Sequence, residues 1–209
     1  MKIGIIGTGA VGTSLARLFA DAGHKVTLGS RHPVDASAPD GVEVAGVDDS
    51  VRDADLVVVA VPFTAANDIL PPLAAALAGK AVIDATNPLN ADYSPLALDD
   101  GRSAGEAVAA MLPGARVVKA WNTVFADVMS AQGRDRGGRP ATVFVAGDDG
   151  DAVALVGRLV GETGFAPVLA GPLRNSRYLE AMAHLNIHLA FALGGGSDAA
   201  FLYDRRDRA

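Results

Sequence analysis

The sequence predicts an α/β protein built as a doubly wound, mostly parallel sheet of about eight strands, with a helical segment at its C-terminal end. Three observations carry that expectation. Short β-branched runs such as Leu56-Val57-Val58-Val59 and Ala81-Val82-Ile83 alternate with helical patterns, as strands buried on both faces of a parallel sheet do. The first apolar run, Ile3-Gly4-Ile5-Ile6, passes without a break into Gly7-Thr8-Gly9-Ala10-Val11-Gly12. Half of the 209 residues are hydrophobic, enough for one substantial core and too few for two.

Each glycine in that opening has a physical task. Gly7 allows the tight turn out of the strand, Gly9 lets the backbone approach a pyrophosphate, and Gly12 lets the next helix pack close to the sheet. Val11, Leu15, Leu18, Phe19 and Ala22 follow at helical spacing, and Gly23 ends the helix. A strand before the glycines and a helix after them is the context of a dinucleotide site, which makes the predicted fold Rossmann-type. The second strand, Lys25 to Gly29, runs into Ser30-Arg31-His32. A carboxylate at that point would accept hydrogen bonds from ribose hydroxyls and repel a 2′-phosphate. Here a hydroxyl stands beside a guanidinium and no carboxylate precedes Asp35, so NADP is favoured over NAD. His32 either flanks the phosphate or faces solvent.

Pro33 to Asp40 reads as a loop and Val42-Glu43-Val44 as a short third strand. Asp55 to Val61 forms the fourth, ended by Pro62. A helical stretch from Ala65 to Leu77, broken at Pro71-Pro72, leads to a strand at Ala81 to Ala85 and the turn Thr86-Asn87-Pro88. Ser103 and Glu106 form a capping box that starts a helix to about Leu112, followed by the strand Arg116 to Ala120. Strands at Thr142 to Ala146 and Phe165 to Leu169 flank a helix over Asp151 to Thr163, and the alternation calls for a parallel sheet. Gly133 to Pro140, rich in arginine and glycine, reads as a mobile loop. The last long helix starts at Asn175 or Ser176 and runs through Tyr178, Leu185 and Phe191 to Gly194-Gly195-Gly196. A short amphipathic piece over Asp198 to Tyr203 and a charged tail complete the chain.

The net charge of −6 and the lack of any lysine-rich run argue against nucleic acid or an anionic membrane as partner. Without cysteine there are no disulfides, thiolate metal sites or thiol nucleophile. No signal-peptide core follows Lys2 and no apolar run is long enough to span a bilayer, so the expected protein is cytoplasmic with small-molecule partners. The organisation expected is one domain over 1–209, with a dinucleotide-binding core over 1–170 and a helical segment over 171–209 that completes the substrate cleft. Lys2, Lys25, Lys80 and Lys119 all stand at strand margins, and no large helical domain follows to supply a catalytic lysine. The acceptor pocket must therefore be built from loops at the carboxyl ends of the strands together with the last helix.

Six stretches carry a family likeness: Gly7 to Gly12; Gly29-Ser30-Arg31; Ala60-Val61-Pro62-Phe63; Thr86-Asn87-Pro88-Leu89; Lys119-Ala120-Trp121-Asn122-Thr123; and Ala170-Gly171-Pro172-Leu173-Arg174-Asn175-Ser176-Arg177. On these, over nearly its whole length, the chain resembles the F420H2:NADP oxidoreductases and related bacterial dinucleotide-binding reductases. The cytoplasmic domain of membrane ferric reductases also looks like this module. The resemblance implies that Ser30 and Arg31 hold the 2′-phosphate, that Pro62 and Phe63 line the nucleotide cleft along with Asn87 and Pro88, and that Asn122, Thr123 and Val124 sit beside the nicotinamide. Arg174, Asn175 and Ser176 are then expected at the acceptor, with Arg174 and Arg177 meeting the anionic tail of F420, lying on the surface at the helix N-terminus, or pairing with Glu180 at helical spacing. The archaeal F420 enzymes typically carry His where this chain has Asn122.

The function implied is hydride transfer between NADPH and coenzyme F420. The alternatives are an NADPH-dependent reductase of flavin, ferric complexes or another small acceptor, and a non-catalytic NADP-binding redox sensor. Hydride transfer needs stacked rings about 3–3.5 Å apart in a dry pocket and no protein nucleophile, so the lack of a visible acid/base pair fits it. His184 and His188, four apart on the last helix, are not expected to hold a metal. The apolar excess on that helix predicts a homodimer joined through Tyr178 to Phe191 and Asp198 to Tyr203.

Overall fold

The computed structural model describes residues 1–98 and 101–206; the last three residues of the charged tail lie outside it. The strands are β1 (Lys2–Ile6), β2 (Lys25–Ser30), β3 (Glu43–Gly46), β4 (Leu56–Val59), β5 (Ala81–Asp84), β6 (Arg116–Lys119), β7 (Thr142–Gly147) and β8 (Ala166–Gly171). They make one sheet in the order β3-β2-β1-β4-β5-β6-β7-β8, the Rossmann-type arrangement the glycine motif predicts. The order reverses between β1 and β4, which opens a crevice beyond their carboxyl ends, the usual ligand site of such sheets.

The helices are α1 (Ala10–Asp21), α2 (Val47–Arg52), α3 (Phe63–Ile69), α4 (Ala74–Leu77), α5 (Ala104–Met111), α6 (Ala131–Arg134), α7 (Gly150–Glu162) and α8 (Ser176–Ile187). Side chains alternate across each strand, so the sheet feeds two cores. Ile3, Ile5, Leu56 and Val58 face one side with Leu15 and Phe19 of α1 and Val156 and Leu159 of α7. Ile6, Val57 and Val59 face the other with Phe63, Leu73, Leu77 and Val108 of α3 to α5. The capping box forms as its sequence requires. Ser103 Oγ accepts from the Glu106 N–H at 3.2 Å, and Glu106 Oε2 accepts from the Ser103 N–H at 2.9 Å.

Three features depart from expectation. First, β1 to β6 are parallel, but β7 meets β6 antiparallel, with Lys119 opposite Ala146, and β8 runs parallel to β7. A parallel neighbour needs a crossover, usually a full helix. The chain after β6 forms only a 3-10 turn at Ala126–Met129 and the four-residue α6, so it returns on the same end of the sheet. Second, α2 has no strong sequence signal, being six residues with acidic Asp48 and Asp49 in its first turn. Third, Asp198 to Tyr203 is not helical. It runs extended beside β7, where the Thr142 N–H donates to Phe201 O and the Tyr203 N–H donates to Thr142 Oγ1, both at 2.9 Å. Phe201 and Tyr203 then pack edge-on to Phe144. The arginine- and glycine-rich stretch that read as a mobile loop is tied to the same segment through Arg136–Asp198 at 2.6 Å and Arg139–Asp204 at 3.4 Å.

Candidate active site

The crevice holds two cavities on either side of the turn between β1 and α1. The first, about 200 Å³, is lined by Gly7, Thr8, Gly9, Ser30, Arg31, Ala60, Pro62 and neighbouring residues at the carboxyl ends of β1, β2 and β4. A Cβ on Gly7 would lie 2.4 Å from Ala60 O, and one on Gly12 would lie 2.2 Å from Gly7 O, so both positions need glycine for backbone packing. Gly7 also has φ +120, outside the range of other residues. Gly9 differs: a Cβ there would meet nothing within 4 Å. Its lack of a side chain serves space outside the protein atoms. The first turn of α1 has neither a side-chain cap nor an acidic residue, so its N–H groups are open to an anion. This geometry fits a pyrophosphate. Ser30 Oγ accepts from the His32 N–H at 3.0 Å, while Arg31 is exposed and has no hydrogen bond or ion pair among the described residues. A free guanidinium at the mouth of this cleft suits a ribose phosphate.

The second cavity, about 370 Å³, begins at Ala10 and Val11 and passes between the loop after β5, the loop after β6 and the end of α8. Asn87, Asn122, Thr123 and Val124 line it, with Leu89, Tyr93, Trp121, Phe125, Asn186, Ile187 and Phe191. Asn87 and Asn122 brace each other: Asn87 Nδ2 donates to Asn122 O at 2.7 Å, and Asn122 Nδ2 donates to Asn87 Oδ1 at 3.0 Å. This leaves Asn122 Oδ1 buried without a partner, as are the indole N–H of Trp121 and the Thr86 hydroxyl. An unsatisfied buried polar group costs about 1–3 kcal/mol, and two of the three belong to residues that line the cavity, Asn122 and Trp121.

Beneath this cavity lies a group of charges. The Lys119 ammonium donates to Asp84 Oδ2 at 2.9 Å and Thr86 O at 2.6 Å and stands 3.0 Å from Glu180 Oε1, with Asp84 and Lys119 fully buried. Asp84 Oδ1 accepts from the Thr86 N–H at 2.9 Å. Glu180 accepts from the Ala104 and Gly105 N–H groups, each at 3.0 Å, at the start of α5. One ammonium thus ties together the ends of β5 and β6, the first turn of α5 and α8; the loops after β5 and β6 and the later part of α8 line the second cavity.

The structure brings most of the expected residues to the crevice, with exceptions. Phe63 lies in the core at 3% exposure, pinned by α3. Pro88 is outside the lining, and its carbonyl meets His184 Nε2 at 3.1 Å. Arg174, Asn175 and Ser176 do not line the cavity. Ser176 is fully buried and its hydroxyl donates to Leu173 O, while Asn175 Nδ2 donates to Ala170 O. The lining residues of α8 begin at Ala183, about 10 Å along the helix from Ser176. Arg177 pairs with Glu106 at 3.0 Å rather than with Glu180, which Lys119 holds. Bonds from the Ser103 N–H and hydroxyl, together with Arg177, hold the Glu106 carboxyl below its ordinary value despite partial burial.

Sequence reading missed Tyr93, Asn186 and Phe191. The available signal for Asn186 is an amide amid the apolar residues of α8, where it is 6% exposed and faces Thr123 O at 3.5 Å. For Phe191 there is none, because a π-helical turn at His188–Ala192 sets its direction.

Comparison with known proteins places the chain in a family. Residues 2–88 match the family model described as NADP oxidoreductase, coenzyme F420-dependent. The F420-dependent NADP reductase of Methanothermobacter thermautotrophicus is 33% identical over 210 residues, covering 90% of this chain and 89% of that one. Metalloreductase STEAP3 of Rattus norvegicus is also 33% identical, over 183 residues, but this chain spans only 36% of its length. A crystal structure from Arthrobacter sp. FB24, assigned as an F420-dependent NADP reductase, superposes with a TM-score of 0.86 at 32% identity, covering 98% of this chain and 100% of that one. Among the described residues no helix is long and apolar enough to cross a membrane. With a full-length relative at this identity and a site of this form, the chain belongs to the family of coenzyme F420-dependent NADP oxidoreductases.

Proposed function

We propose that the protein, as a cytoplasmic homodimer, passes hydride between NADPH and coenzyme F420 in the crevice beyond β1 and β4. The observation that carries this reading is the pairing of a polar cleft ending at a free Arg31 with an apolar cavity at Asn122, joined at the open face of Gly9. Bound there, NADPH supplies two electrons and a hydrogen nucleus to the central ring of F420, which takes up one proton from water. The chain binds, orients and keeps water out. The first turn of α1 and Gly9 receive the pyrophosphate, Ser30 and Arg31 the 2′-phosphate, and Pro62 borders the nucleotide. Asn87 and Asn122 orient the carboxamide side of the nicotinamide, with Thr123 and Val124 alongside. The aliphatic and aromatic wall excludes water from the reacting faces.

The metalloreductase likeness favours one second reading, reduction of a flavin or a ferric complex by NADPH. A steady-state assay of NADPH oxidation with F420, FMN, FAD and ferric chelates separates the two. Highest kcat/KM with F420 is the expected result; turnover of FMN or iron without F420 activity assigns the second reading. The dimer is supported by Tyr178, Leu185, Leu189 and Leu193, all large, exposed and carried by α8 and its extension. The extended Asp198 to Tyr203 segment packs on its own β7 and takes less part in that interface than a free helix would.

A further inference from the structure

Three irregular backbone features converge on the second cavity. Among the described residues only Tyr93 (φ +64) and Trp121 (φ +58) are non-glycine residues at positive φ, and both line it. The π-helical turn that carries Phe191 lines it too. A bulky side chain in the left-handed region is a true outlier, and π-helical turns concentrate at functional sites. Each departure carries an aromatic ring to the same space.

At Tyr93 the strain is held by a closed set of hydrogen bonds. The Tyr93 N–H donates to Asn90 O at 3.0 Å, the Asn90 N–H donates to Ser94 O at 2.9 Å, and Asn90 Nδ2 reaches Ser94 Oγ and Pro95 O. Asp92 Oδ1 accepts from both the hydroxyl and the N–H of Ser94. This loop presents one exposed ring. Tyr93 stacks on Phe191 with centroids 6.1 Å apart and planes 26° apart, and Phe191 meets Phe125 edge-on at 5.8 Å. Yet Tyr93 remains 63% and Phe191 60% exposed. Two large rings fixed by strained backbone and left open to solvent are not a core. They are a surface awaiting a flat partner.

We propose that Tyr93 and Phe191 form an aromatic clamp that selects a planar fused-ring acceptor over compact charged ones. This rests on the hydride-transfer reading for the identity of the reaction. The rest of the wall agrees, since Leu89, Val124 and Ile187 offer a ring system dispersion contacts and give a hydrated ferric chelate nothing to coordinate it. Asp127, the one carboxylate in the lining, is bonded to the Ser197 hydroxyl.

The test uses riboflavin, a neutral fluorescent tricycle, titrated against the full chain saturated with NADP⁺, with the NADPH Kd and the kinetics of F420 and ferricyanide measured alongside. Tyr93→Ala and Phe191→Ala should each raise the riboflavin Kd and the F420 KM about tenfold. Tyr93→Phe should stay within about twofold of the unaltered protein, because it keeps the ring. The NADPH Kd should not move, and any ferricyanide rate should fall by less than the F420 rate. Unchanged riboflavin affinity in both alanine variants overturns the clamp, as does loss in Tyr93→Phe equal to that in Tyr93→Ala, a parallel loss of NADPH affinity, or no binding of riboflavin to the unaltered protein. Riboflavin bound and weakened as described, with NADPH oxidised by no acceptor, defeats hydride transfer and leaves the clamp standing. F420 reduction with KM indifferent to both alanine substitutions does the reverse.

Discussion

Replacing Lys119 by methionine isolates the charge cluster under the cavity. Methionine keeps the length and apolar stem of lysine but leaves Asp84 and Glu180 facing each other across a site with 0% and 5% side-chain exposure. Removing one partner of a buried ion pair costs about 3–5 kcal/mol. For a chain of 209 residues a loss of about 4 kcal/mol lowers Tm by about 8–16 °C. Thermal unfolding followed by circular dichroism at pH 7 reads it directly. A fall in Tm of less than about 3 °C would refute the reasoning that the ammonium compensates the two carboxylates.

Arg31→Ala should raise the NADPH Kd about 10–100-fold, the worth of a charge-assisted contact, and leave NADH binding unchanged; calorimetric titration of both nucleotides checks it. The two glycines of the turn should separate fold from ligand. Gly12→Ala drives a Cβ against Gly7 O and should cost about 1–3 kcal/mol in denaturant unfolding. Gly9→Ala meets open space, so stability should change by less than about 1 kcal/mol while NADPH affinity falls at least about tenfold. Glu106→Gln should remove about 1 kcal/mol at pH 7 by weakening the cap of α5. Because bonding to Ser103 and Arg177 lowers the folded pKa below the ordinary 4.5, that contribution is present above 4.5 and lost as pH falls through the lowered value. The stability difference between Glu106→Gln and the unaltered protein should therefore vanish in acid, as urea melts across that range will show.

The elements legible in the sequence are those whose causes are local. β4 is a continuous apolar run and β5 an apolar run closed by Asp84, both buried at every position, α1 and α5 carry their starting signals within a few residues, and Gly12 is fixed by the nearby Gly7 carbonyl. The direction of β7 was not legible because it depends on a missing crossover helix, which is a property of the whole segment between β6 and β7. Asp198 to Tyr203 is expected from the sequence as a short amphipathic piece of the C-terminal helical segment, and it is not helical. Phe201 and Tyr203, two apart, are a strand's alternation, and both turn to Phe144.

The cleft proposed for the nucleotide followed the same rule and the cavity proposed for the acceptor did not. Gly7 and Gly9 lie in the β1–α1 turn and Ser30 and Arg31 at the end of β2, each a run of consecutive residues. The acceptor cavity is assembled from Tyr93, Trp121 and Phe191, each placed by backbone that a sequence of its kind would ordinarily avoid. Lys119, counted as a strand-margin residue, is the fully buried centre of the cluster beneath them. A polar motif such as Gly-Pro-Leu-Arg-Asn-Ser at 171–176 draws attention in the sequence, yet the side chains of Asn175 and Ser176 bond Ala170 and Leu173, and none of the six residues lines the cavity. Local consistency specifies the scaffold, and the places where it breaks down are where the long-range structure has imposed a conformation. In this chain those breaks surround a single apolar space, which is why its acceptor specificity should be altered by substitutions at Tyr93 and Phe191 sooner than by any change in the glycine motif.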